Sequence, residues 1–229
     1  MINLISGIGA VGMALGTAAL VIILSVFNGF NRIVSDSISE TSADIVILPA
    51  LGKVFTPDSA LFAPVLESPD VAALSSTLQE QVFISLDGRQ SLARIKGVDQ
   101  VAMEEWNLRE KVTDGGWVFR RGSTDACVMG ASLAHSIGAN PRFLTPLEVY
   151  YPSRKEAVSL ANPAASLRKL QLMCGGVFVT GSELDAKLVV IPIAAARDLL
   201  EYETEVSSLE ITAAPGREAQ LAKWLQDQL

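Results

Sequence analysis

From Met1 to Asn31 the chain carries no Asp, Glu, Lys, Arg or His, and from Ile5 to Phe27 nearly every position is apolar or small. A helix of about 20 apolar residues crosses the hydrocarbon layer of a bilayer, so Asn3 to Asn28 predicts a membrane-spanning helix. Phe30, Ile33, Val34 and Ile38 then keep a helical period to about Glu40, which predicts that the helix continues beyond the membrane. Gly9, Gly12, Gly16 and Ala19 fall on one narrow face of the run. Small residues let a second backbone come close where lipid offers no hydrophobic drive, so this face predicts transmembrane neighbours. Gly7, Gly9 and Gly12 also match the spacing of a dinucleotide-binding turn. That turn needs a preceding strand, an amphipathic helix and an acidic residue about 20 positions on, and here Met13 to Phe27 is apolar all round. A cleaved signal peptide is disfavoured, because no Lys or Arg precedes the run and its apolar part is too long.

Beyond Glu40 the pattern becomes an α+β alternation. Asp44 to Pro49 reads as a strand stopped by proline, Val54 to Leu66 as irregular and then helical, and Pro69 to Ser76 as a helix with proline in its first turn. Gln81 to Leu86 and Ser91 to Lys96 read as strands joined through Asp87-Gly88, a strong hairpin signal. Asp99 to Thr124 reads as loop with short helical pieces. Ala126 to Gly130 predicts a strand, and Ala131 to Ile137 a helix closed by Gly138. Leu147 to Pro152 predicts another strand, followed by a long polar connection from Ser153 to Leu172. Strands at Gly176–Thr180 and Lys187–Ile191, a helix at Ala194–Glu201, a strand at Val206–Thr212 and a helix at Arg217–Leu229 complete the pattern.

Charge and chemistry narrow the function mainly by exclusion. The net charge is −7 without a basic stripe, which gives nucleic acid nothing to hold. The two cysteines, Cys127 and Cys174, make no disulfide framework. They read either as small buried apolar residues or as a pair joined in an oxidising compartment if the fold brings them close. His135 is the sole histidine, and neither C-x-x-C nor H-x-x-x-H occurs, so no metal site is expected. No G-x-S-x-G and no phosphate-binding P-loop is present, so no catalytic or cofactor-binding residues are expected and any ATP must be bound by another subunit. Glu104-Glu105 and the group Glu201, Glu203 and Glu205 read as solvated faces rather than acid/base dyads.

Several segments, taken in order, resemble one family. Asn3-Leu-Ile-Ser with Gly16-Thr-Ala-Ala-Leu-Val-Ile-Ile-Leu-Ser-Val-Phe-Asn-Gly-Phe30 is similar to the first transmembrane helix of lipoprotein-releasing permeases. Ile95-Lys-Gly-Val-Asp99, Val128-Met-Gly-Ala-Ser-Leu-Ala134, Gly176-Val-Phe178 and Leu188-Val-Val-Ile-Pro-Ile-Ala-Ala-Ala-Arg-Asp-Leu-Leu200 extend the likeness over nearly the whole chain. The group resembled is the ABC-transporter permeases of the lipoprotein-releasing (LolC/LolE) and MacB type, with FtsX proteins as distant relatives.

The resemblance implies a transmembrane helix and stalk over residues 1–40, the stalk being about Asn28 to Glu40. A two-lobed MacB-like periplasmic core domain would follow over 41–229. Its porter-like lobe would comprise about 41–105 and 181–229, with an inserted lobe at about 106–180. It further implies a bacterial inner-membrane location, a cytoplasmic ABC ATPase subunit, a second permease copy or paralogue, and mechanical transmission to the periplasmic domain. For a lipoprotein-releasing subunit it implies lipoprotein cargo and a periplasmic carrier, which would meet the Pro152–Leu172 loop through Arg154, Lys155, Arg168 or Lys169. Two alternatives within the same resemblance are a MacB-like exporter of peptides or antibiotics and an FtsX-like regulator of a wall hydrolase. The missing basic flank before the first helix and the helical pattern at the end predict that this chain is a piece of a longer one.

Overall fold

The computed structural model describes residues 13, 16–21, 24–25, 43–57, 59–155 and 166–228. The chain divides into two compact units, Met1–Glu40 and Thr41–Leu229. In the first, residues 13, 16–21 and 24–25 are helical, Thr17 Oγ1 donates to the Met13 carbonyl at 2.8 Å, and Met13, Leu20, Val21 and Leu24 are exposed. Gly16 and Ala19 lie in this helix, whereas Gly9, Gly12 and the stalk from Asn28 to Glu40 lie outside the described residues. No helix among the described residues is long and apolar enough to cross a membrane.

The second unit is built on strands β1 (Ile45–Ile47), β2 (Val71–Leu86), β3 (Arg89–Val98), β4 (Val112–Gly115), β5 (Arg120–Arg121), β6 (Thr124–Gly130), β7 (Leu147–Pro152), β8 (Leu167–Phe178), β9 (Leu188–Pro192) and β10 (Ser208–Ala213). Its helices are α1 (Ser59–Leu66), α2 (Gln100–Glu105), α3 (Ala131–Ile137), α4 (Leu184–Lys187), α5 (Ile193–Leu200) and α6 (Glu218–Gln228), with a 3-10 turn at Asn107–Lys111. The strands make one mixed sheet in the order β1-β10-β2-β3-β9-β6-β8-β4, with β7 bridging β2 and β8 and β5 beside β6. The α+β alternation read from the sequence is therefore the architecture of this unit.

Two local signals act as expected. Asp87 and Gly88 both have positive φ, 47° and 80°, as a two-residue turn matched to the twist of its strands requires. Gly138 closes α3 in the left-handed conformation, where a missing Cβ removes the steric cost.

Three expectations fail. Asp99 to Thr124, read as loop with short helical pieces, also holds strands β4 and β5. Pro69 to Ser76 is not a helix; β2 begins at Val71, because Leu74 pairs with Ile211 and Ser75 with Glu210 on β10. Its hydroxyls are also used there: Ser75 Oγ donates to the Glu210 carbonyl at 3.3 Å, and Thr77 Oγ1 lies 2.6 Å from Ser208 Oγ. Strand pairing at a distance in sequence outweighs the helical preference of Ala72, Ala73 and Leu74. The polar connection after β7 is likewise shorter than expected, because β8 starts at Leu167 and pairs residue for residue with β7 from Pro152↔Leu167 to Leu147↔Leu172.

The period of two along each strand separates the faces of the sheet. One face carries Leu78, Val82, Ile84, Ile95, Met129, Val189 and Ile191 against α3 and α5, with Leu209 and Ile211 packed with residues of α1 and α6. Gly97 lets α5 approach, since a Cβ there would stand 2.5 Å from that of Ala196. The other face is covered over part of its area, where Val98, Val128, Leu188 and Val190 meet Ala102, Leu108, Trp106 and Trp117. Elsewhere that face leaves Phe83 and Leu92 exposed.

Candidate functional site

The hairpin of β7 and β8 presents the four cations singled out from the sequence. Its pairing continues one step past the strands, where Ser153 N–H donates to the Ser166 carbonyl at 2.8 Å. The connection therefore leaves and re-enters the sheet at one paired rung. Beyond that rung, Arg154 and Lys155 are the described residues of the outgoing arm.

The fold does not gather the four cations at one place. Arg168 and Lys169 are neighbours on a strand, opposite Tyr151 and Tyr150, so they project from opposite faces. Lys169 forms an ion pair with Glu148 Oε1, to whose Oε2 the Tyr150 hydroxyl donates at 2.6 Å. Tyr150 packs on Phe83 with ring centroids 6.4 Å apart. The Lys169 and Tyr150 donors hold the Glu148 carboxyl below its ordinary range, and the same carboxylate raises both Lys169 and Tyr150. On the helix-covered face, Arg168 donates to the carbonyl of Asp198 at 3.2 Å and to its carboxylate at 3.3 Å.

Glu201 is the hub of that second cluster. Its Oε2 accepts from the Arg154 N–H at 2.6 Å, the Ser153 hydroxyl at 3.0 Å and the Lys155 N–H at 3.1 Å, and Arg168 Nε stands 3.9 Å from Oε1. The Arg154 guanidinium lies 4.0 Å from the ring centroid of Tyr202, a cation–π contact. Glu201 ends α5 with φ 57°, donating its own N–H to the Arg197 carbonyl. A left-handed conformation costs a non-glycine residue roughly 1 kcal/mol; the ring of donors keeps it there. Burial works to raise the carboxyl's pKa, but these donors and the Arg168 charge outweigh it and hold the group below its ordinary 4.5.

The solvated-face reading is corrected for Glu201 and Glu205, whereas Glu104 and Glu203 are exposed. The Glu201 side chain is 10% exposed, and Glu205 Oε2 accepts from the N–H groups of Glu203 and Thr204 at 2.8 and 3.0 Å. Both carboxylates fix backbone, and they make no acid/base dyad. The available signal for Glu201 was its place: a carboxylate at a helix C-terminus opposes the helix dipole and so implies donors supplied from elsewhere. Among the described residues no group of three His, Cys, Asp or Glu side chains could hold a metal ion.

A family model described as the MacB-like periplasmic core domain matches residues 6–227. Among solved structures, the chain is similar to the extracellular domain of the noncanonic ABC-type transporter YknZ from Gram-positive bacteria. The identity is 12% and the TM-score 0.50, covering 78% of this chain and 86% of that one. It is also similar to the periplasmic region of MacB from Actinobacillus actinomycetemcomitans, at 9% identity and TM-score 0.47, with 76% and 81% covered. A domain of a putative permease protein from Porphyromonas gingivalis matches at 17% identity and TM-score 0.45, with 78% and 70% covered.

Proposed function

The chain belongs to the MacB-like periplasmic core domain family, and from that premise we propose that it is a permease subunit that releases lipoproteins from the bacterial inner membrane. Permeases of this kind work with a cytoplasmic ABC ATPase and are not themselves the ATPase. In this reading the charge-free run before Arg32 is the first transmembrane helix, packed on its neighbours through Gly9, Gly12, Gly16 and Ala19. The helical continuation to Glu40 is the stalk that carries displacement outward. The domain after it divides into a porter-like lobe, about 41–105 with 181–229, and an inserted lobe, about 106–180. A second permease copy or a paralogue completes the membrane part.

The observation that carries the lipoprotein reading is the clamped stem of the β7–β8 hairpin. The Ser153–Ser166 rung and the Glu201 hub give the segment between them a fixed base. A fixed base suits capture of a soluble carrier, because less freedom is lost on binding. The clamp holds Arg154 and Lys155 through their backbone N–H groups, and the Arg154 guanidinium rests on the Tyr202 ring. Arg168 pairs with Asp198 of α5 and Lys169 with Glu148 of β7, and both support the stem.

The test is photo-crosslinking from residue 155 of the full permease, with its ATPase, to the periplasmic carrier. Arg154→Glu with Lys155→Glu is expected to cut the crosslink at least tenfold, and Arg168→Ala or Lys169→Ala to cut it about twofold. An undiminished crosslink in the double charge reversal overturns the contact. A second reading compatible with the MacB-like family is an exporter of peptides or antibiotics. ATP-dependent peptide efflux from vesicles, with no lipoprotein handed to the carrier, would decide for it.

A further inference from the structure

Cys127 and Cys174 are in-register partners on the neighbouring parallel strands β6 and β8. Both are free thiols in this structure, 0% and 3% exposed, and both belong to the same core cluster on one face of the sheet. In-register residues of adjacent strands stand about 4.8 Å apart, inside the roughly 4.4–6.8 Å that a disulfide spans between Cα atoms. A register shift follows directly after Cys127, where Val128 pairs with Gly176 and Gly175 is passed over. Glycine at 175 and 176 lets the backbone of Gly116 and Val118 lie against β8 beside the pair, since a Cβ at either would stand 2.1 Å from a carbonyl oxygen there.

We infer that Cys127 and Cys174 are a modification site: they close into an intramolecular disulfide that staples β6 to β8. The inference rests on the reading that this domain faces an oxidising compartment, as disulfides persist there and not in the cytosol. The chemistry is thiol–disulfide exchange with a disulfide-donor oxidant. One cysteine thiolate attacks the donor's sulfur–sulfur bond, releasing one donor thiolate and leaving a mixed disulfide. The second cysteine, having lost its proton, attacks the bound protein sulfur and expels the other donor thiolate. The protein dithiol is oxidised, and the donor is reduced to two thiols.

Burial pushes the Cys127 thiol well up and the Cys174 thiol to about 11, which makes both poor nucleophiles once the core has closed. The bond therefore forms while the chain folds. Afterwards Cys174 remains reachable from one side, since it lines a cavity of about 300 Å³ with Arg89, Ile137 and Phe143. The staple closes a loop that contains α3, β7 and the whole hairpin stem, so it restrains the unfolded chain over the region that carries the proposed carrier site.

The experiment has two arms. In the first, the full chain in detergent is unfolded, reduced and refolded in a mixture of reduced and oxidised glutathione. It is then denatured and treated with a thiol-reactive polyethylene glycol maleimide. The expected result is no labelled thiol before reduction and two after it, with no glutathione adduct; two free thiols or stable adducts overturn the pairing. Reduction is expected to lower the unfolding midpoint by roughly 10 °C. Cys127→Ala with Cys174→Ala, which cannot form the bond, is expected to show no such response, and an equal response in that variant overturns the staple. In the second arm the chain is acid-trapped from cells and labelled in the same way. Protection in cells completes the inference. A pair that closes on refolding and is labelled in cells overturns it as a natural modification, and it then counts against the compartment in the proposed function rather than against the geometry.

Discussion

Two lysine–glutamate pairs sit on the same face of the sheet in opposite settings. Lys96 on β3 reaches Glu210 on β10 at 2.7 Å, across β2, with side chains only 8% and 12% exposed. Lys169 meets Glu148 with side chains 42% and 32% exposed. The inner pair is roofed by Trp106, whose ring centroid lies 4.4 Å from the Lys96 ammonium, and Thr77 Oγ1 reaches the Glu210 carboxylate at 3.4 Å. The outer pair is wet and screened, with Tyr150 as its neighbour. The difference teaches that the chemistry of a pair does not set its worth. Burial does, because an ion stripped of water depends on its partner for compensation, whereas an exposed one falls back on solvent.

Breaking the inner pair carries the largest expected effect. Glu210→Ala leaves the Lys96 charge buried without its carboxylate and is expected to cost about 3–5 kcal/mol, read as a fall in the denaturant midpoint at unchanged slope. The comparison sharpens with Lys96→Met and Glu210→Leu together. Removing both charges is expected to lie between neutral and about 1–4 kcal/mol more stable, and a double variant as unstable as Glu210→Ala would refute the desolvation account.

Next in size is Glu201, whose ring of donors holds the hairpin stem. Glu201→Ala is expected to speed amide hydrogen exchange at Arg154 and Lys155 while sparing the core strands, with Glu201→Gln intermediate. The same clamp is expected to be acid-sensitive. Its carboxyl is depressed below 4.5, so its contribution is whole above that value and is lost as pH falls through the depressed one. Exchange at those two amides, corrected for intrinsic rate, should rise in that acid window and not between pH 6 and 8. Smallest is the outer pair: Lys169→Ala is expected to leave the thermal midpoint within experimental scatter, and a large drop would break the contrast.

Much of the fold was legible because its signals are local. The Asp87-Gly88 turn, the Gly138 cap and the β-branched run Leu188-Val-Val-Ile each dictate backbone conformation over a few residues, and each stands where the sequence put it. Val71 to Ser76 was misread for the complementary reason: a local helical preference at Ala72, Ala73 and Leu74 yields to the strand pairing that a distant partner, β10, offers. The candidate site was legible in part. The polar stretch after Leu147–Pro152 was legible as a long connection and not as a hairpin, and Arg168 and Lys169 could not be assigned to opposite faces until the start of β8 was known. Glu201 was missed because its donors come from residues 153–155, far away in the chain.

The sequence by itself determined the charge-free opening, the order and kind of most elements after Glu40, and the family resemblance those segments carry. Tertiary structure alone decided that Arg168 meets Asp198 and Lys169 meets Glu148, that Glu201 and not Lys169 clamps the hairpin against α5, and that Cys127 stands in register with Cys174. The physical reason is the range of the forces. Turn, cap and periodicity preferences act within a few residues, whereas register, burial and ion pairing are set between strands that meet only when the sheet has closed.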